Sequence, residues 1–552
     1  MTTTVAERPS APPPEDPLPQ ARVHQLDHLK ARLLGFRPSD RLWGWLGPVV
    51  IAALGGFMRF RHLGRPHQLV FDETYYVKQG YSIWHYGIEH ANMPNLKTPD
   101  DLFTRGTPDV FTTYGDSVVH PPVGKWMIGF GEWLFGIDSS FGWRFASAVV
   151  GTLSILMIGR IARRLFSSSM LGSIAALLLA VDGEEFVHSR TGLLDIFVMF
   201  WALAAFGLIL IDRDRARAKL AVGVVNSAAG ETGDRRHTGT GSLRPQGFGP
   251  GLGLRPYRLL AGVCLGLCCG TKWSGVYFLA VFAIMSLLWD IGARRAVGVR
   301  DWVRAGIVRD GIPGFLSTVP VALAVYVASW AGWFHSTNGY DRQWGASHPS
   351  KDFGFIPDSL RSLWQYHQWM YQFHTHLDSF HVYRANPWSW LIQGRPTSFF
   401  YESPTKGQDG CTVAQCSKAI TSLGTPSIWW GATLALLVLL FMWALRRDWR
   451  AGAVLSGLLA GYVPWFQYEH RTIFTFYSVA FAPWIVLAVV YVIGLALGPP
   501  GASSRRRLWA GTAVGAYLVL TVVLFFFYWP IYTAQVIPYA DWARRMWFPS
   551  WI

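Results

Sequence analysis

Recurrent apolar stretches of close to twenty residues constrain this chain more than any other feature. A helix needs ~20 residues to cross the hydrocarbon core of a bilayer. Stretches of that kind lie near 43 to 60, 142 to 162, 169 to 187, 192 to 211, 257 to 271, 273 to 290, 313 to 333, 427 to 445, 451 to 468, 472 to 497 and 508 to 529. Eleven spans are therefore expected. The composition agrees, because a chain of 552 residues that is 51% hydrophobic, 15% aromatic and only 15% charged is not balanced like a soluble multidomain enzyme. The expected fold class is an all-α integral membrane protein. The fifth stretch is short and ends in Cys-Cys-Gly-Thr-Lys, which suits a broken helix or a tight hairpin with the sixth.

Orientation follows from the short loops, since those on the cytoplasmic side keep the excess of Lys and Arg. Arg160, Arg163 and Arg164 follow the second span, Arg213, Arg215, Arg217 and Lys219 the fourth, and Arg294, Arg295, Arg300, Arg304 and Arg309 the sixth. Arg446, Arg447 and Arg450 follow the eighth, and Arg505, Arg506 and Arg507 the tenth. The opposite loops hold about one basic residue each, such as Arg190, Lys272 and Arg471. The amino terminus is then cytoplasmic and the carboxyl terminus extracytoplasmic. The net charge of +15 becomes a topology signal, and nucleic acid is not an expected partner, because the basic residues are spread among loops rather than gathered on one module.

In that frame residues 1-42 form a cytoplasmic tail, largely disordered at its start, where APPPEDPLPQ has too little apolar surface to fold. No cleavable signal peptide is visible. Residues 43-530 carry the spans, 212-256 is a flexible cytoplasmic loop rich from 220 in Gly, Ser, Thr and Arg, and 531-552 is an extracytoplasmic tail. Two long extracytoplasmic loops, 61-141 and 334-426, mix aromatic with polar residues. SLWQYHQWMYQFH at 362 to 374 reads as a helix lying in the interface plane.

Cys264, Cys268 and Cys269 fall inside a span, whereas Cys411 and Cys416 face an oxidising compartment at a spacing that could close a disulfide. No Cys/His spacing resembles a zinc site, and neither a Walker loop nor a Gly-rich dinucleotide turn is present.

The chemistry-bearing residues gather on the outer side. Asp72 and Glu73, in LVFDETYYVKQG, stand about a dozen residues after the first span, where a carboxylate could take a proton from an acceptor approaching from outside. Arg144, Arg190, Asp195, Lys272 and Arg471 open or join later spans, and His120 and Lys125 precede the second; Arg190 with Asp195 could be an ion pair. Ionisable groups are costly in a bilayer and usually face an interior cavity. Cations converging on a carboxylate pair are what a phosphate-bearing lipid would require.

The segments FDETYYVKQG, HPPVGKWMIGFGEWLFG, GWRFASAVVGTL, HSRTGLLDIFVMF, GTKWSG and YEHRTIFTFYS, in this order over roughly 43 to 530, resemble the protein O-mannosyltransferases in their actinobacterial form. The chain departs from eukaryotic members in two places. Its 334-426 loop is too short for their soluble β-trefoil module, and 471 to 477 lacks their paired histidines. The resemblance implies a GT-C type glycosyltransferase that moves mannose from polyprenyl phosphate mannose to Ser or Thr hydroxyls of exported polypeptides, met during translocation across a bacterial plasma membrane. Carried over residue by residue, it makes Asp72 the base and Glu73 a residue positioning the acceptor or the sugar. The donor phosphate is then held among Arg144, Lys125, Lys272, Arg471 and His120. A glycosyl transfer passes through an oxocarbenium-like state, and a phosphate leaves as a stable anion without an acid, so one carboxylate suffices and the anomeric carbon inverts. No metal or other cofactor is expected, since Arg and Lys already supply positive charge. Two alternatives stand beside this reading. One is a polyprenyl-phosphate-sugar transferase acting on a glycan or lipid, and the other, of a different class, is a membrane transporter, disfavoured because no internal repeat is visible.

Overall fold

The computed structural model describes residues 17–36, 38–231, 247–350, 352–499 and 501–552. Eight helices among these are long and apolar enough to cross a membrane: α2 (Arg41–Phe60), α5 (Ser140–Phe166), α7 (Asp195–Glu231), α9 (Gly275–Ala296), α10 (Trp302–Ser329), α12 (Pro426–Ala444), α14 (Thr475–Leu497) and α15 (Ser504–Tyr532). The other three expected spans fall on shorter helices, α6 (Ser169–Ala180), α8 (Pro256–Cys269) and α13 (Trp449–Gly461). The first two end where polar residues and Gly interrupt the apolar run, at Val181-Asp182-Gly183 and Gly270-Thr271-Lys272, and α13 ends at Gly461, shortly before Pro464. The chain is thus a multi-pass, mostly helical membrane protein, as expected, with eight rather than eleven helices of full spanning length.

The chain divides into two units by internal contacts. One gathers residues from 1–36, 213–255 and 287–313. Its α1 (Pro17–Leu34) brings Leu33 into a core with Leu220, Ala221, Val224, Ala293 and Val297. Because Leu220, Ala221 and Val224 recur at helical spacing, α7 stays helical to Glu231. The segment 212–256, expected to be flexible, is therefore ordered in its first part, while its residues 232–246, like the tail before Pro17, lie outside the described residues. Buried ion pairs Arg255–Asp290 and Arg294–Asp310, each at 2.5 Å, satisfy charges inside this unit.

The other unit, 37–212, 256–286 and 314–552, carries the two long loops. Small residues let its helices approach closely, as is usual in membranes: a Cβ on Gly172 of α6 would sit 2.7 Å from the carbonyl oxygen of Gly159 in α5. The loop 61–141 folds as α3 (Glu73–Tyr86), α4 (Val123–Phe135) and the antiparallel pair β1 (His90–Asn92) and β2 (Phe111–Gly115). A side chain on Gly129 would collide with Gly80 O, so α3 and α4 lie backbone against backbone. The loop 334–426 holds α11 (Asp358–His376) and the strands β3 (Thr397–Glu402) and β4 (Cys416–Ser422), paired from Thr397↔Ser422 to Glu402↔Lys418. Cys411, in the connection between these strands, is joined by a disulfide to Cys416 at the start of β4. The residues after α15 add β5 (Ile537–Pro538) to β4 and bury Trp551, whose indole N–H donates to Gln393 O at 2.8 Å. These two small sheets, absent from the all-α expectation, occupy loops outside the spans, where strands need not satisfy their edges in lipid.

Candidate active site

Asp72 and Glu73 are neighbours in sequence and opposites in environment. Glu73 is fully buried and all its acceptor capacity is used. Its Oε1 accepts from Arg144 Nε at 2.8 Å and from Gly192 N at 2.7 Å, and its Oε2 from Arg144 Nη2 at 2.8 Å and Val70 N at 3.0 Å. Arg144, equally buried, donates its remaining protons to the carbonyls of Leu63, Pro66 and Gln68. Two expectations are corrected here. Glu73 has no lone pair left for a sugar or an acceptor, and Arg144 has no N–H left for a phosphate; together they tie the α3 start, the chain leaving α2 and the α5 start into one joint. The carboxyl of Asp72, in contrast, makes no hydrogen bond among the described residues. Burial pushes it up to about 6, opposed by the charge of Lys272 and reinforced by that of Asp195.

Lys272, whose charge acts on Asp72, lines a cavity of about 980 Å³, and Asp72 itself is not among the residues lining it. Lys272, Arg471 and His120 line it, together with Tyr477 from the first turn of α14 and His374 from α11. Apolar residues line it too, Val276 and Leu279 from α9 and Val319, Ala322 and Leu323 from α10, and Val276 and Leu323 are exposed on these helices. Lys272 Nζ donates to both oxygens of Asp195, at 2.9 and 2.8 Å, and sits 4.9 Å from the centre of the Tyr477 ring. Arg471 has no side-chain partner among the described residues, and its buried Nε is unbonded. His120 stacks on His374 at 5.0 Å. Burial and the nearby cations hold both imidazoles well below their ordinary range. His374 donates Nε2–H to Val119 O at 2.6 Å, which leaves its Nδ1 as an acceptor.

Three of the five expected phosphate ligands therefore meet at one cavity, and two do not. Besides Arg144, Lys125 is withdrawn: its Nζ bonds Glu89 Oε1 at 2.6 Å and the carbonyl of His120 at 2.7 Å, so it braces the loop that carries His120. The expected Arg190–Asp195 pair does not form. Asp195 holds Lys272, while Arg190 donates to the carbonyls of Met58, Arg59, Arg61 and His62 and so closes the C-terminal end of α2.

Family models fit this arrangement. Residues 119–229 match the model for dolichyl-phosphate-mannose-protein mannosyltransferase, and 359–551 match that for the C-terminal four-span region of protein O-mannosyltransferase. The chain is 37% identical over 525 residues to the polyprenol-phosphate-mannose–protein mannosyltransferase of Mycolicibacterium smegmatis, covering 94% of both chains. It belongs to the polyprenol-phosphate-mannose–protein mannosyltransferase family. The Mycobacterium tuberculosis relative of the same name is 35% identical over 526 residues, 94% of this chain and 93% of its own. The fold is also that of the Saccharomyces cerevisiae protein O-mannosyltransferase Pmt1-Pmt2 complex bound to the sugar donor, with a TM-score of 0.65 at 13% identity over 96% of this chain and 94% of that one.

For a member of this family, sequence reasoning missed the wall supplied by α11. Trp364, Gln368, Tyr371 and Thr375, with His374 beside them, face the cavity, while Leu363, Tyr366 and Met370 pack inward. The signal was present as two stripes at helical spacing, but a stripe does not say what it faces.

Proposed function

We propose that this chain transfers mannose from polyprenyl phosphate mannose to Ser and Thr hydroxyls of exported polypeptides, on the outer face of a bacterial plasma membrane, with its amino terminus in the cytoplasm. The observation that carries the reading is the unpartnered carboxyl of Asp72 within the field of Lys272, which lines a cavity together with Arg471 and with apolar residues of α9 and α10. The alternation of basic loops supports the orientation.

In this reading Asp72 accepts the proton of the acceptor hydroxyl as its oxygen bonds to the anomeric carbon of mannose. The bond from that carbon to the phosphate oxygen breaks on the opposite face, so the configuration inverts. Polyprenyl phosphate leaves with the bond's electron pair, which Arg471 and the third N–H of Lys272 stabilise. The prenyl chain lies along the wall between α9 and α10. Glu73 and Arg144 act at one remove by fixing the backbone on which Asp72 stands.

The direct test is transfer of labelled mannose from the lipid donor to a Ser/Thr-containing peptide by the purified chain in detergent or vesicles. No transfer to peptide, with transfer to a glycan or lipid instead, would overturn the acceptor assignment. Two further outcomes are expected. Arg471→Gln should raise KM for the lipid donor about 10- to 100-fold, the equivalent of one or two charge-assisted bonds, and leave KM for peptide nearly unchanged. Because Asp72 works ionised, the transfer rate should climb with pH through a midpoint near 6 and level off above it; a flat profile between pH 5 and 8 would contradict the assignment.

A further inference from the structure

Residue 71 stands in a conformation that its side chain disfavours. Phe71 has φ +50°, in the left-handed region that a bulky residue seldom adopts. Its ring is boxed in: it stacks on Phe399 of β3 at 4.9 Å and 15°, and meets Phe474, Phe476 and His381 edge-on at 5.4 to 6.2 Å. Four neighbours from three distant segments hold one ring, so the backbone cannot relax without dismantling the box.

The consequence appears one residue later. Asp at the start of a helix ordinarily caps it, with the carboxylate accepting a backbone N–H from the first turn. Of the four other Asp residues at this position among the described residues, Asp182 and Asp448 do so, while Asp40 and Asp301 make no cap bond. Asp182, at φ −81° and ψ 123°, accepts from Glu185 N at 3.0 Å, and Asp448, at φ −71° and ψ 110°, accepts from Arg450 N at 2.9 Å. Asp72 occupies the same position before α3 at φ −70° and ψ −3°, with no side-chain cap bond. The turn through Phe71 removes the need for one. Glu73 N donates to Val70 O at 3.0 Å, Thr74 N to Phe71 O at 3.3 Å, and Tyr75 N and Tyr76 N to Asp72 O. The first N–H groups of α3 are thus taken by main-chain carbonyls, and Val70 N closes the same turn onto Glu73.

We propose that Phe71 is a positioning residue for the transfer reaction: its aromatic box enforces a left-handed turn that satisfies the α3 start with backbone carbonyls, leaving the Asp72 carboxylate uncapped and aimed at the acceptor hydroxyl. This rests on Asp72 being the base. Without the box the turn relaxes, Asp72 takes the extended conformation of Asp182 and Asp448, and its carboxylate turns in to cap the helix.

Phe71→Leu, Phe71→Tyr and Asp72→Asn, each in the full chain, test this. Phe71→Leu should lower kcat about 10- to 100-fold, the usual cost of a misplaced catalytic group, with KM for the lipid donor within about threefold of wild type. The acid limb of its pH–rate profile should move to lower pH, since N–H bonds favour the charged carboxylate. Phe71→Tyr, which keeps the ring, should restore both. If Phe71→Leu does not yield folded protein, judged by thermal unfolding, Phe399→Leu on the opposite wall of the box is read by the same criteria. A kcat within about twofold of wild type, or a loss that leaves the acid limb in place, overturns the proposal. An active Asp72→Asn would overturn the assignment of the base instead, whereas an inactive Asp72→Asn beside an unchanged Phe71→Leu would sink the positioning role alone.

Discussion

Asp72→Asn should abolish mannose transfer, by about 10²- to 10⁴-fold in kcat as expected for loss of a general base, while leaving the folded protein no less stable than wild type. The two halves of this outcome have one cause. The carboxyl of Asp72 is pushed from 3.8 up to about 6 mainly by burial, with no hydrogen bond to offset it. A carboxyl whose folded pKa exceeds its unfolded one stabilises the fold only while protonated; that contribution is complete below pH ~4 and is lost as pH rises through about 6. At neutral pH the ionised group costs the folded state about 1–3 kcal/mol, and a neutral, nearly isosteric Asn removes that cost. Transfer assays paired with thermal unfolding at pH 7 read both quantities. Retained transfer would refute the base, and a clear drop in unfolding temperature would show that Asp72 is instead part of the framework.

Arg144→Met should have the largest effect on stability. It leaves Glu73 ionised and fully buried without its counter-charge, a loss of about 3–5 kcal/mol, and frees the carbonyls of Leu63, Pro66 and Gln68. Arg144→Lys should fall between wild type and Met, because an ammonium keeps the charge but cannot reproduce the bidentate fork. Combining Arg144→Met with Glu73→Gln should recover part of the loss, since no unpaired charge remains. Thermal unfolding in detergent across the four proteins checks this. Arg144→Met with wild-type stability and a raised KM for the lipid donor would return Arg144 to the phosphate site, from which its hydrogen bonds remove it here.

These predictions rest on a division that the sequence showed only in outline. That α2, α5, α7, α9, α10, α12, α14 and α15 would be membrane helices was legible because hydropathy over some twenty residues is a local property that lipid reads directly. The three shorter helices look like full spans in the sequence because hydropathy runs on past the Asp182, Lys272 and Pro464 breaks that follow them. Lys272, Arg471 and His120, which line one cavity, were legible beside Asp72 as titratable residues next to apolar segments, where charge is too costly to keep without a use.

Which cation meets which carboxylate was not legible. Arg144, Lys125, Arg190 and Lys272 look alike on paper, each a basic residue at the outer end of an apolar segment. Only the packed chain spends Arg144 on Glu73, Lys125 on Glu89, Arg190 on the carbonyls ending α2 and Lys272 on Asp195, leaving Arg471 without a side-chain partner among the described residues. Such pairings join residues as far apart in sequence as Arg59 and Arg190, over distances of a few ångströms that no local pattern encodes. The sequence by itself determined that this is a helical membrane protein, because periodicity and hydrophobicity act residue by residue. The tertiary structure alone decided that Glu73 is an anchor and Asp72 a free carboxylate, because hydrogen-bond capacity is filled by whichever partners packing brings within reach.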